Sequence, residues 1–284
     1  MIYDLHVHTS ASDGVYSPEE VIEKANTMGL AGIAITDHDT VDGLQSALSF
    51  AGKENIKTHV IPGIEMNTEL DEEEIHILGY FIDYKNKGLI NRLAEIKKSR
   101  YERARRMISK LNNMGIDIEF GQVQRMARGN LIGRPHIARA MVEKGYVFSN
   151  KEAFEKYISK GKPAYVPRYK FFPQEAIGLI KQSGGIAILA HPGLLNNIDK
   201  FNSLINMGIE GVEAFYPEHS PEQIRIYIEL CHNKNLLLTG GSDFHGMARE
   251  ESRNKLGCCG VNESQMRQIF EYRNKKIKES YRND

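Results

Sequence analysis

Apolar runs alternate with amphipathic stretches along most of the chain. Residues 2–7 (IYDLHV) predict a short strand. Ser17-Pro18-Glu19-Glu20 predicts a helix start, with Ser as N-cap, Pro in the first turn and Glu three positions after the Ser. Gly29 predicts its end. The compact apolar run LAGIAIT at 30–36 is of strand type, and a helix is expected over about 43–52. Residues 57–67 and 75–82 predict two further strands, paired antiparallel. After Gln182 a Gly-Gly turn leads into IAILAH. A helix, the strand IEGVEAFY, a helix from Pro221 to about Asn233 and the strand LLLTGGSDFH follow. This βαβα rhythm predicts an α/β fold with a mainly parallel sheet.

From about residue 86 to 160 the period changes and no strand is expected. KKSRYERARRMISKLNNMG predicts a long basic amphipathic helix stopping at Gly115. RPHIARAMVEKG predicts another, from Pro135 to Gly145. We expect a helical insertion over residues 100–165 between two parts of one catalytic barrel, 1–99 and 166–284.

Composition narrows the class. Of 284 residues 41% are hydrophobic and 26% charged, ordinary for a soluble globular protein. No apolar run reaches membrane-spanning length, and no basic region followed by an apolar one opens the chain, so a cytoplasmic location and no membrane partner are expected. Net charge is zero, which argues against a global grip on long nucleic acid and leaves room for a local anion site. The cysteines, Cys231, Cys258 and Cys259, form no CxxC and are expected to be reduced and structural. Nothing in the pattern specifies an oligomeric state.

Polar residues cluster where the apolar runs stop. His6 and His8 end the first strand, and Asp37 and His38 the second. Glu65 follows the third and His76 lies on the next. His191 follows IAILA directly, and Asp243 and His245 follow LLLTGGS. In α/β barrels the carboxyl ends of strands carry the chemistry. Side chains alternate along a strand, so the HVH spacing turns both rings toward one centre. Imidazole suits zinc-like ions, and carboxylates add charge and can bridge two of them. His59 and His232 lack such placement and read as ordinary surface or packed residues. GxGxxG, GxxxxGK[ST] and GxSxG motifs are absent.

The motifs DLHVHTSASDG, ITDHDTVDG, IPGIEM, HILGY, GRPHIA, GKPAYVP, LAHPG and GSDFHG together resemble the PHP (polymerase and histidinol phosphatase) family. Within it they resemble nucleoside 3′,5′-bisphosphate phosphatases and short-RNA 5′→3′ exonucleases. The resemblance spans essentially the whole chain and implies a distorted barrel of about seven βα units. It implies up to three divalent transition-metal ions, Mn, Zn or Fe. One would be held by His6, His8, Glu65 and Asp243, a second by Glu65, His76 and His191, and a third by Asp13, His38 and His245. Asp4, Asp37 and Asp39 are expected either to orient ligand imidazoles or to cap turns.

Such a centre would carry net positive charge and attract a phosphate, which a metal-activated hydroxide would attack. His191 and His245 are candidates for proton transfer. Arg134, at a helix start, is the candidate for a phosphate contact, and His136, Lys162 and His219 for further substrate contacts. The basic run Lys97–Lys110 is expected to be a solvated face. The implied activity is removal of the 3′-phosphate from a nucleoside 3′,5′-bisphosphate. Alternatives are 5′→3′ digestion of short 5′-phosphorylated RNA, histidinol-phosphate-type hydrolysis, amide hydrolysis by a related metal barrel and, in a different class, an inactive metal-binding module. The expected partner is a small phosphorylated nucleotide or a short RNA.

Overall fold

The computed structural model describes residues 1–127, 131–195, 198–246 and 255–283. Strand β1 (Ile2–Val7) leads by a long loop into helix α1 (Pro18–Thr27). The Ser17 hydroxyl accepts from the Glu20 amide at 3.2 Å and the Glu20 carboxylate from the Ser17 amide at 2.7 Å, which fixes this start. Then come β2 (Gly32–Ile35), α2 (Leu44–Ala51), and the hairpin β3 (His59–Leu70) and β4 (Glu73–Tyr80). The helices α3 (Lys87–Asn113), α4 (Phe120–Met126), α5 (Arg134–Glu143) and α6 (Asn150–Ala153) follow, the last running into a π-helical turn over Phe154–Ile158. The remainder is α7 (Pro173–Gln182), β5 (Ile186–Leu189), α8 (Ile198–Asn206), β6 (Gly211–Phe215), α9 (Pro221–Lys234), β7 (Leu237–Gly240), β8 (Val261–Asn262) and α10 (Glu263–Asn283).

The eight strands form one sheet in the order β7-β6-β5-β4-β3-β2-β1-β8. β1, β2 and β3 are parallel neighbours, as are β5, β6 and β7. β4 runs antiparallel between β3 and β5, and the two-residue β8 runs antiparallel on β1. Beyond β7, Phe244 bridges to Val7, and the His8 amide donates to the Phe244 carbonyl at 2.9 Å. That contact brings the last long strand back to the first and nearly closes a barrel.

Two apolar layers hold the sheet. Ile33, Ile35, Ile64, Ile77, Leu189 and Val212 pack with residues of α1, α2 and α7. Leu5, Ala34, Ile61, Leu78 and Ile188 pack with Met266 and Ile269 of α10. A third cluster is separate from the sheet and built from α3 to the π-turn, with Met107, Leu111, Val123, Ile137, Met141 and Ile158 at its centre.

Chain closure demands bare backbone at Gly241. A Cβ there would lie 2.3 Å from His6 Cβ and 2.4 Å from the His6 nitrogen. Gly178 on α7 is the opposite case, with no atom within 4 Å of an added Cβ. Gly241→Ala should therefore destabilise by about 1–3 kcal/mol through overpacking. Gly178→Ala should stabilise by about 0.5–1 kcal/mol through helix propensity. Urea denaturation of both variants checks the pair, and equal behaviour would contradict the packing at the β1–β7 seam.

Candidate active site

The strand ends converge on Glu65, a fully buried β3 carboxylate. Its Oε2 lies 2.8 Å from His38 Nδ1, 3.3 Å from His8 Nε2 and 3.4 Å from His6 Nε2. Its Oε1 lies 2.7 Å from His76 Nδ1 and 3.2 Å from His191 Nε2. Asp243 Oδ1 stands 3.1 Å from His8 Nε2, 3.4 Å from His6 Nε2 and 3.5 Å from His245 Nδ1. Asp13, in the β1–α1 loop, stands 3.3 Å from His245 Nε2 and 4.0 Å from both His8 Nδ1 and His38 Nε2. The structure thus brings together His6, His8, His38, Glu65, His76, His191, Asp243 and His245 from the strand ends, and Asp13 with them, but not Asp37.

Five atoms of this cluster are buried with no hydrogen-bond partner among the described residues: His6 Nε2, both His8 ring nitrogens, Asp13 Oδ1 and Glu65 Oε2. Buried polar atoms are normally satisfied, so a converging set of orphans is unusual. Three groups of donor atoms lie within 4.8 Å of one another: His8, Asp13, His38 and His245; His6, His8 and Asp243; and His38, Glu65 and His76. Mixed imidazole and carboxylate donors at this spacing have the chemistry to hold divalent transition-metal ions.

The charges are strongly coupled. Burial alone would raise the Glu65 carboxyl, but His38, His76 and His6 hold it well below the usual carboxylate range. Asp13 and Asp243 are likewise lowered against their burial, each with His245 among the causes. Burial would lower His76, but Glu65 and Glu74 push it up to about 10. His245 is pushed to about 10 against its burial by Asp13 and Asp243. His38 is lowered, chiefly by burial.

The backbone is forced as well. His191, Asp39 and Asp243 have φ of 26°, 47° and 54°, a region costly for side chains other than Gly. Tight loop bonding sustains it. Asp37 accepts from the Thr9 amide at 2.8 Å, the Thr9 hydroxyl at 2.7 Å and the Ser12 hydroxyl at 2.6 Å. Asp4 accepts from the Ser242 amide at 2.8 Å, its hydroxyl at 2.6 Å and the Gly257 amide at 2.8 Å. Asp4 and Asp37 therefore anchor loops and touch no imidazole ring. Asp39 accepts from Asn67, whose amide nitrogen lies 3.0 Å from His38 Nδ1.

The imidazole-orienting carboxylate is instead Glu213 on β6, which sequence reasoning passes over. It is fully buried, sits 2.9 Å from His6 Nδ1 and accepts from the His191 amide at 2.8 Å. Tyr216, on the segment after β6, donates to Asp243 Oδ2 at 3.1 Å. The strand-end rule misses Glu213 because it lies within VEAF, among apolar residues. Its signal is a charge where the pattern demands a core residue.

A cavity of about 160 Å³ opens beside the cluster. Asp13, His38, Glu74 and His76 line its barrel side, and Arg100, Arg103, Arg134, His136, Arg168 and Tyr169 line the other. Glu74 pairs with Arg134 at 3.1 Å and with Arg168, and Arg100 pairs with Asp39. Arg103 donates to the Val166 carbonyl at 2.8 Å and has no carboxylate partner among the described residues. The expectation of a solvated face over Lys97–Lys110 thus needs correction. Arg100 and Arg103, one turn apart on α3, face the cavity, while Arg105 and Arg106 are exposed.

Arg134 and His136 line the cavity as expected. Lys162 and His219 are not brought to it. Lys162 is exposed in the turn after the π-helix. Both His219 nitrogens are already engaged, Nδ1 with the Ala214 carbonyl at 2.9 Å and Nε2 with the Gly193 amide at 3.0 Å.

Residues 4–206 match the PHP domain. The chain belongs to the PHP family. It is 34% identical over 250 residues to the 5′-3′ exoribonuclease Rnm of Escherichia coli, covering 86% of this chain and 85% of the relative. It is 34% identical over 251 residues to the 3′,5′-nucleoside bisphosphate phosphatase of Chromobacterium violaceum, covering 85% of this chain and 86% of that protein. A solved structure of an amidohydrolase from Chromobacterium violaceum, with bound sulfate and no metal, superposes with a TM-score of 0.85 at 31% identity, covering 96% of this chain and 97% of the other. This PHP chain is a metal-dependent phosphoesterase, a hydrolase of phosphoric esters. Among its described residues no helix is long and apolar enough to cross a membrane.

The ion-free centre has a pH signature. His76 and His245, raised to about 10, lend stability in full below their ordinary value of 6.5 and lose it as pH rises through 10. Glu65, Asp13 and Asp243, all lowered, lend stability above the ordinary carboxylate range and lose it in acid. Chelator-treated protein should therefore melt at progressively lower temperature from about pH 6.5 to 10, and His76→Ala should flatten that slope. A wild-type melting temperature constant over this interval would contradict the coupling.

Proposed function

We propose that this PHP chain removes the 3′-phosphate from nucleoside 3′,5′-bisphosphates, with up to three divalent ions of Mn, Zn or Fe held at the strand ends. His6, His8, Glu65 and Asp243 would hold one ion, Glu65, His76 and His191 a second, and Asp13, His38 and His245 a third. The observation that carries this reading is the set of orphaned, buried donor atoms on His6, His8, Asp13 and Glu65. Bound there, the ions supply Lewis-acid charge and lower the pKa of water.

The chain's own residues divide the remaining work. Glu213 fixes the ring of His6 and the backbone at His191, and Tyr216 fixes Asp243. His191, beside Glu65, and His245, beside Asp13, are the imidazoles placed to pass a proton to the leaving oxygen when free of a metal bond. The helical insertion, residues 100–165, brings Arg100, Arg103 and Arg134, and Arg168 stands beside them. Four guanidiniums against Glu74 and Asp39 leave a positive surplus for a second phosphate. Grip on that remote phosphate positions the reacting one.

The same placement admits a short 5′-phosphorylated RNA, with a phosphodiester where the 3′-phosphate would sit. Kinetics on adenosine 3′,5′-bisphosphate, 3′-AMP, a 5′-phosphorylated dinucleotide and histidinol phosphate choose among these, with an amide panel for the hydrolysis implied by the Chromobacterium violaceum amidohydrolase. Equal turnover of 3′-AMP and the bisphosphate would end the remote-phosphate reading. Cleavage of oligonucleotides alone would replace it with exonuclease action.

Two mutational outcomes follow. His6→Ala, Glu65→Ala and Asp243→Ala should each abolish most activity, and elemental analysis should show fewer ions per chain than in wild type, which should carry up to three. Full activity in metal-free protein would refute the assignment. Arg134→Ala should lower kcat/KM on the bisphosphate by roughly ten-fold to a thousand-fold, the scale of one charge-assisted contact, with far less effect on p-nitrophenyl phosphate. Equal losses on both would place Arg134 at the reacting phosphate.

A further inference from the structure

We propose that the ring of Tyr169 is a stacking platform for the substrate's nucleobase. The inference rests on the nucleotide reading above and names the subsite that would read the nucleoside.

Tyr169 lies on the extended segment that returns from the helices to the barrel. That segment is pinned to the end of β3. The Glu69 amide donates to the Phe171 carbonyl at 2.9 Å, and Arg168 Nη1 donates to the Thr68 carbonyl at 3.4 Å. Tyr169 lines the cavity, yet 49% of it is exposed, whereas Phe171 beside it is 2% exposed. Half of Tyr169 is thus open to solvent at a cavity lined by arginines, where an incoming ligand can reach it.

The ring is held in advance of any ligand. The Arg92 guanidinium sits 5.2 Å from its centroid, and Arg92 Nη1 donates to the Tyr169 hydroxyl at 3.2 Å. Arg92 is itself anchored by Glu95 at 2.6 Å and Glu175 at 3.0 Å. Among the described residues Arg92 is the one cation over the Tyr169 ring, and no aromatic ring stacks on it. An immobilised ring costs little further entropy when a ligand stacks on it. The other aromatics of the cavity are less open, since Phe154 is only partly exposed and Phe171 is buried.

Position selects a base as the occupant. Arg168 directly precedes Tyr169 and joins Arg134 on Glu74. Arg168, Arg134 and Tyr169 line one cavity of about 160 Å³, so a phosphate receptor and an aromatic ring face the same small volume. Every base offers a π-face, so this platform favours nucleotides over other phosphate esters while discriminating weakly among bases.

Calorimetric binding of adenosine 5′-monophosphate and ribose 5-phosphate to metal-loaded protein tests the subsite without turnover. Wild type should prefer the nucleotide by roughly 5- to 100-fold, the scale of one stacked base. Tyr169→Leu should remove most of that preference while holding ribose 5-phosphate affinity within about two-fold, and Tyr169→Phe should keep the preference. An unchanged preference in Tyr169→Leu, or equal loss on both ligands, would overturn the proposal. Should the bisphosphate and the 5′-phosphorylated dinucleotide both be refused as substrates while the Tyr169-dependent preference persists, the reaction assigned above falls and the base subsite stands.

Discussion

Burying Glu65 constrains the rest of this protein. A lone carboxylate taken out of water at the heart of a barrel would be far too costly to keep charged. Here five imidazoles from four strand ends stand 2.7 to 3.4 Å from its two oxygens. The imidazoles come from four different strands and the loops that follow them, each at the correct height, so these segments have little freedom. Asp37 ties down the β1–α1 loop through Thr9 and Ser12, and Asp4 ties Ser242 and Gly257 to β1. The left-handed backbone at His191 and Asp243 is sustained by the same bonding, with the His191 amide given to Glu213. The strain and the buried charge are two sides of one requirement, which is to aim many donors at a small volume.

How far this could be read in the sequence depends on the range of each interaction. His6, His8, His38, His191, Asp243 and His245 follow apolar runs directly, and strand geometry alone carries them to one rim. The Ser17 capping box and the Gly29 stop are likewise local, and the helix lies where they put it. Glu213 could not be recognised the same way, because its partners, His6 and His191, meet it only after the barrel forms. Arg100 and Arg103 were hidden by company. In a run rich in Lys and Arg, the residues facing inward differ from their neighbours only in helical phase, and phase matters only once the other wall is known. His219 failed for the opposite reason: its chemistry is visible in the sequence, but the backbone at Gly193 and Ala214 uses both nitrogens.

Sources of charge are divided in space. The carboxylates and imidazoles of the centre come from the sheet, and the guanidiniums of the cavity from α3, α5 and the returning segment. Glu74 joins the two sets, since it touches His76 on its own strand and Arg134 and Arg168 across the cavity. Asp39 makes a second link, since it pairs with Arg100 across the cavity and accepts from Asn67, which lies 3.0 Å from His38.

The chain's excursion between β4 and β5 begins and ends at one hydrogen-bonded pair, Tyr80 and Ile186. β4 runs antiparallel to β5, so this pair lies at the end of the sheet away from His76 and His191. Arg100 and Arg103 stand midway along α3 (Lys87–Asn113), so about 20–24 Å of helical rise precedes them. Topologically, residues 81–185 form the loop of a very long hairpin. Loop-closure entropy grows only with the logarithm of length, so such a loop can be lengthened, shortened or replaced at small thermodynamic expense. A barrel rooted this way can trade one recognition module for another without disturbing the register of any strand that carries its chemistry.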